Sequence, residues 1–132
     1  MASSNNQATE PQSGFMRIFV YGTLRQGGNN HQFLKKAYLI ANHVALNGYI
    51  MYNYNESYPF AKPCNDLNRV IYGEIYEISP DTLSVLNRLE GTDEGLYMLM
   101  FEPRIEAWLY VIGPNAPKNL PEVASGDWLA RS

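Results

Sequence analysis

The sequence predicts an α+β fold: a small mixed β-barrel, or a curled sheet, with one or two flanking helices. Three observations carry this. Five or six short runs rich in Val, Ile, Tyr and Phe read as strands. Only Ser79 to Glu90 carries both a clear helix start and a helix stop. The strands do not alternate with helices, which a doubly wound parallel sheet requires.

Along the chain, Met1 to Gly14 is polar (Ser, Asn, Gln, Thr, Pro), has little to bury, and is expected to be a disordered tail preceding one domain over residues 15–132. Phe15 to Tyr21 is a β-branched and aromatic strand ended by Gly22. Gly22 to Asn30 is a loop, and Asn30 to Lys36 suits a short helix capped by Asn29 or Asn30. Ala37 to Asn53 reads as one or two strands, Asn55 to Pro59 as a turn, and Phe60 to Cys64 as a short strand. After a turn at Asn65 to Asn68, Arg69 to Ile78 gives the clearest strand signal. Ser79-Pro80-Asp81 then supplies a hydroxyl N-cap, a first-turn proline and an acid at the positive helix end. Gly91 supplies the left-handed stop. Leu96 to Phe101 and Arg104 to Ile112 complete the strands. In the latter, Ile105, Ala107, Leu109 and Val111 share one face. A Pro-rich extended segment follows Gly113.

Composition excludes several classes. The 132 residues are 45% apolar and 17% charged, enough for one domain with its own core. Lys plus Arg is 10 against 13 for Asp plus Glu, a net charge of −3, without the basic footprint of a nucleic-acid surface. The longest apolar runs are six residues, against about 18 for a membrane span, so no membrane partner is expected. The first fourteen residues lack the features of a secretory signal or transit peptide. With one cysteine, Cys64, and no intrachain disulfide, a cytoplasmic location is the default.

Glu90 is the strongest physical signal of chemistry. On a helical wheel of about 100° per residue with Leu83 at zero, Leu86 falls near 300° and Glu90 near 340°. Glu90 thus lies inside the apolar arc, where desolvation raises a carboxyl pKa. The negative end of the helix dipole acts in the same direction. Both favour an acid poised for proton transfer near neutral pH. The competing placement is a helix-end glutamate turned out to water.

The second signal is the loop Tyr21-Gly22-Thr23-Leu24-Arg25-Gln26-Gly27-Gly28, whose backbone N–H groups can bind an anion. Its glycine spacing approaches a phosphate loop, but Gly28 and Asn29 stand where Lys and Ser or Thr are needed. Other candidates are weaker. His31 and His43 have no further ligand at metal spacing, so no metal or cofactor is expected. No Gly-x-Ser-x-Gly elbow is present, and Cys64 reads as a core residue. Tyr52, Tyr54 and Tyr58 cluster around a turn and are candidate cleft residues.

Six motifs in order carry a family resemblance. They are Tyr21-Gly22-Thr23-Leu24-Arg25; Tyr58-Pro59; Val70 with Gly73-Glu74-Ile75-Tyr76-Glu77-Ile78; Leu86-Asn87-Arg88-Leu89-Glu90-Gly91; Tyr97; and Gly126-Asp127-Trp128. Over residues 16 to about 128 the chain resembles the γ-glutamylcyclotransferase-like proteins, which include γ-glutamylamine cyclotransferases and plant AIG2-like proteins. The resemblance implies a small barrel with flanking helices and a cleft at the Tyr-Gly-Thr-Leu loop. It implies one catalytic acid/base, which maps to Glu90, and substrate-binding residues Tyr21, Gly22, Thr23, Leu24, Arg25 and Tyr97. The reaction implied is release of 5-oxoproline from a small γ-glutamyl substrate, a γ-glutamylamine or γ-glutamyl amino acid, without a cofactor. Arg25 is expected either at the substrate carboxylate or paired with a surface acid.

Two positions depart from the family pattern. Asn87 stands where Asp is common, and Leu99 where Arg is common two places after the tyrosine. Both bear on substrate preference more than on the reaction. The tyrosines near 52–58 and the segment Thr92 to Gly95 are the expected walls for the leaving group. The alternative function is a binding or interaction protein that keeps the fold and cleft without turnover. A carboxylate on an apolar helix face favours the enzyme.

Overall fold

A computed structural model describes residues 14–131. The polar tail expected at residues 1–14 falls outside it, apart from Gly14. Seven strands and one α-helix follow in the order β1 (Met16–Val20), β2 (Tyr38–Asn47), β3 (Tyr49–Tyr54), β4 (Tyr58–Pro63), β5 (Val70–Ile78), α1 (Pro80–Leu89), β6 (Tyr97–Glu102) and β7 (Ala107–Ile112). Short 3-10 turns occupy His31–Leu34, Thr92–Glu94 and Trp128–Ala130.

The strands form two sheets. Five lie in the order β2-β5-β1-β7-β6, and β3 and β4 make a separate two-stranded ribbon. β1 runs antiparallel to β5, with Val20 opposite Glu74, and parallel to β7, with Ile18 opposite Trp108. The α+β class therefore holds, but the expected barrel does not close. A barrel needs every strand paired on both sides. Here the chain leaves the five-stranded sheet at Gly48, and the ribbon pairs with itself and with the segment around Glu122 instead. β2 and β6 remain as edges. β2 carries two register shifts and is exposed along most of its length, devices that blunt an open edge.

Alternation along the central strands sends side chains into two cores. Phe19, Tyr21, Ile71, Ile75, Ala107, Leu109 and Val111 meet the ribbon residues Met51 and Ala61 and the C-terminal Trp128. On the other face, Ile18, Val20, Tyr76, Ile78 and Tyr110 meet Leu24, Leu34, Phe60, Leu86 and Tyr97. The shared face expected for Ala107, Leu109 and Val111 is the first of these, and Ile105 packs against it. Strands covered on both faces explain the continuous apolar runs read from the sequence.

Local boundaries shift for identifiable reasons. β7 begins at Ala107 rather than Arg104, because Ile105 and Glu106 donate back to Glu102 and Pro103 and make a turn. The helix expected at Asn30 to Lys36 is one 3-10 turn. The Asn30 side chain does not cap it but donates to Thr23 Oγ1 at 3.0 Å. Cys64 is half-exposed where the ribbon ends, rather than in the core. Helix α1 starts as read: Ser79 Oγ accepts the Thr82 N–H at 3.2 Å and Pro80 opens the first turn. Leu86 is fully buried and fixes the helix to the sheet.

Candidate active site

A cavity of about 300 Å³ opens where the end of β1, the end of α1, the start of β4 and the central part of β7 converge. Three structural features build it.

The first is the loop after β1. The Tyr21 hydroxyl donates to the Tyr110 carbonyl at 2.6 Å and accepts the Ala61 N–H at 3.1 Å. This buried phenol ties β7 and β4 to the start of the loop. Gly22 follows, and a Cβ there would lie 2.7 Å from Pro59 Cγ, so only glycine admits this approach. The loop closes on itself through Arg25 N–H to Gly22 O at 3.1 Å and Asn30 N–H to Thr23 O at 2.8 Å. The N–H groups of Gly22, Thr23 and Leu24 donate to no acceptor among the described residues, and all three residues line the cavity. Three successive free donors at a cavity wall are an arrangement suited to an anion.

The second is the end of α1. Glu90 caps the helix, its N–H donating to Leu86 O at 2.8 Å. Gly91 then adopts a left-handed conformation (φ +65°) that reverses the chain. Leu96 N–H returns to Gly91 O at 3.2 Å, which brings Leu96 and Tyr97 to the same cavity. Glu90 is half-exposed as a residue because it faces the cavity, yet packed protein surrounds its carboxyl. Burial raises that carboxyl from its ordinary value of 4.5 to about 7.

The third is a wall of phenols. Tyr21, Tyr58, Tyr97 and Tyr110 all line the cavity. Burial raises the pKa of each, and the Glu90 carboxylate adds to the effect, so they stay protonated. The Tyr97 hydroxyl donates to Pro59 O, and the Tyr110 hydroxyl to Asn87 Oδ1 at 2.6 Å. The Tyr58 hydroxyl has no hydrogen-bond partner among the described residues. Pro59, Phe19, Val20, Leu89, Leu96 and Asn30 complete the lining. Among the described residues, Glu90 is the only charged side chain in it.

Of the residues read from the sequence, the cavity gathers Tyr21, Gly22, Thr23, Leu24, Glu90 and Tyr97. Arg25 is not among its lining residues. Its Nε donates to Glu74 at 2.8 Å and its Nη1 to Asp127 at 2.8 Å, so of the two expected placements it takes the pairing with acids. Of the expected leaving-group walls, Tyr58 lines the cavity, whereas Tyr52, Tyr54 and Thr92 to Gly95 do not. No motif in the sequence marks Tyr110 as a cavity residue. Its signal was strand alternation: it points away from the Leu109 and Val111 face, towards the side that carries α1. Among the described residues no three His, Cys, Asp or Glu side chains are grouped to hold a metal ion.

Comparison with known proteins bears directly on this site. The model of the family "Gamma-glutamyl cyclotransferase, AIG2-like" matches residues 18–130. The chain belongs to this family. It is accordingly a γ-glutamylcyclotransferase-like enzyme. It is 36% identical over 118 residues to the γ-glutamylcyclotransferase family protein YtfP of Escherichia coli K12, covering 88% of this chain and 98% of that protein. The solution structure of E. coli YtfP superposes with a TM-score of 0.65 over 87% of this chain and 97% of that one. A second relative, γ-L-glutamyl-butirosin B γ-glutamyl cyclotransferase of Niallia circulans, is 39% identical over 93 residues, covering 68% of this chain and 57% of that protein. Within this γ-glutamylcyclotransferase-like chain, both departures from the family pattern lie outside the cavity lining. Asn87 holds the Tyr110 hydroxyl, and Leu99 packs into the second core.

Proposed function

We propose that the chain converts a γ-glutamyl compound to 5-oxoproline and a free amine, with Glu90 as the general acid/base. The α-amine of the glutamyl group attacks its own γ-carbonyl, a C–N bond forms, and the C–N bond to the leaving amine breaks. The Glu90 carboxylate takes the proton released by the attacking nitrogen and gives it to the departing one, so atoms and charge balance without a cofactor. A group titrating near 7 serves both steps. The Gly22, Thr23 and Leu24 N–H groups hold the substrate's α-carboxylate or the oxyanion that develops at the γ-carbonyl. Folding the glutamyl chain on itself inside the cavity supplies proximity, which in well-aligned cases contributes roughly 7–11 kcal/mol.

The observation that carries this reading is a single one. A carboxyl raised to about 7 shares one small cavity with three unpaired backbone donors. The lining also favours one leaving group. Among the described residues it holds no cation to pair with a carboxylate, and Tyr58 and Tyr97 offer aromatic faces. An ε-amine such as that of lysine, whose carboxylate lies at the far end of an aliphatic chain from the departing nitrogen, therefore suits it better than an α-amine with its carboxylate alongside or than glutathione. With its one free cysteine, the protein is assigned to the cytoplasm.

The test is 5-oxoproline release from γ-glutamyl-ε-lysine, γ-glutamylalanine and glutathione, with Glu90→Gln beside the wild type. Release from the lysine compound, lost in the variant, is expected. Silence of the folded wild type across the panel, or full activity of the variant, contradicts the proposal.

A further inference from the structure

Glu74 is a buried carboxylate outside the cavity, and every interaction it makes apart from one is with the loop that lines it. Its Oε2 accepts Arg25 Nε at 2.8 Å and its Oε1 accepts the Gln26 backbone N–H at 3.0 Å. Tyr76, two residues along β5, donates to the same Oε1 at 3.3 Å. Glu74 is 4% exposed and lies in register with Val20, the last residue of β1. The grip is therefore placed on a central strand, where the loop departs. Arg25 reaches on to Asp127 Oδ1 at 2.8 Å, which extends the grip to the C-terminal segment.

A buried ion pair is a poor way to gain stability, because desolvating two charges offsets most of their attraction and apolar residues of similar volume do as well. What the pair supplies is direction. Arg25 N–H closes the turn onto Gly22 O, while its side chain and the next backbone N–H are fixed to one carboxylate. Rotation of the turn that carries the Gly22, Thr23 and Leu24 N–H groups is thereby restrained from β5, outside the cavity lining.

We propose that Glu74, through Arg25 and the Gln26 N–H, is a positioning residue that aims the loop's N–H groups at the oxyanion formed during cyclisation. This rests on the cyclotransferase reading. It makes Arg25 part of the loop's support rather than a ligand of the substrate. Donors that act on charge present only in the transition state affect kcat and leave ground-state binding nearly unchanged.

The experiment measures kcat and KM for 5-oxoproline release from γ-glutamyl-ε-lysine by wild type, Glu74→Gln and Asp127→Asn. Thermal unfolding is recorded in parallel. The expected result for Glu74→Gln is a kcat at least tenfold lower with KM changed less than about threefold. Asp127→Asn, at the half-exposed end of the network, should show a smaller loss of the same kind. It also serves as the readout should Glu74→Gln fail to fold. Wild-type kcat in the folded Glu74→Gln variant, or a loss confined to KM in either variant, overturns the proposal. An inactive wild type removes the cyclotransferase reading and this inference with it, whereas an active wild type matched by both variants removes this inference alone.

Discussion

A carboxyl held ready for proton transfer should cost the folded state stability, and at Glu90 the cost can be worked out. Lifting the carboxyl from 4.5 to about 7 destabilises its ionised form in the fold by about 3 kcal/mol. The folded state binds this proton more tightly than the unfolded chain does. The cost is therefore absent below about pH 4.5, grows as pH rises from there, and is fully present above about 7. Glu90→Gln keeps the shape and removes the charge. The variant should match the wild type near pH 4 and be more stable at pH 8 by up to about 3 kcal/mol. For 132 residues that is a rise in Tm of about 10 °C. The assay is thermal unfolding by circular dichroism of both proteins from pH 4 to 8.5, reading only their difference, so that other titrating groups cancel. A variant equal to or less stable than the wild type at pH 8 would refute the claim that Glu90 is ionised against its environment.

Three further predictions concern the scaffold of the site. Leu86→Ala removes a fully buried side chain that fixes α1 to the sheet, and should cost about 2–5 kcal/mol in urea unfolding. Tyr21→Phe leaves the Tyr110 carbonyl and the Ala61 N–H without their shared partner; a loss of about 1–3 kcal/mol by the same assay is expected. Gly22→Ala places a methyl 2.7 Å from Pro59 Cγ and must displace the loop; 5-oxoproline release should fall at least tenfold while far-ultraviolet circular dichroism stays unchanged.

Much of this arrangement is legible in the sequence because local rules decide it. Ser79, Pro80 and Gly91 fix the ends of α1 through capping, and the wheel then places Glu90 between Leu86 and Leu83. The β-branched runs give the strands of the main sheet with small errors at their ends. The loop at Gly22 announces itself by ending a strand with polar and glycine residues. What is not legible depends on contacts far apart in the chain. Tyr110 reaches the cavity because β7 lies parallel to β1, a pairing that no local pattern encodes. Arg25 faces Glu74 and Asp127, 49 and 102 positions away, rather than the cavity. The open sheet follows from the ribbon β3–β4 pairing with the chain around Glu122. Periodicity marks those residues as strand or coil but does not choose their neighbours.

The central claim is that Glu90 moves the proton in ring closure. The most direct measurement is the pH dependence of kcat/KM for 5-oxoproline release between pH 5 and 9, for wild type and Glu90→Gln. The account predicts that the wild-type rate climbs with pH through an inflection near 7, as the carboxyl becomes a base, and that the variant loses turnover across the whole range. A wild-type profile flat from pH 5 to 8, or a variant that keeps both the rate and the inflection, would contradict it.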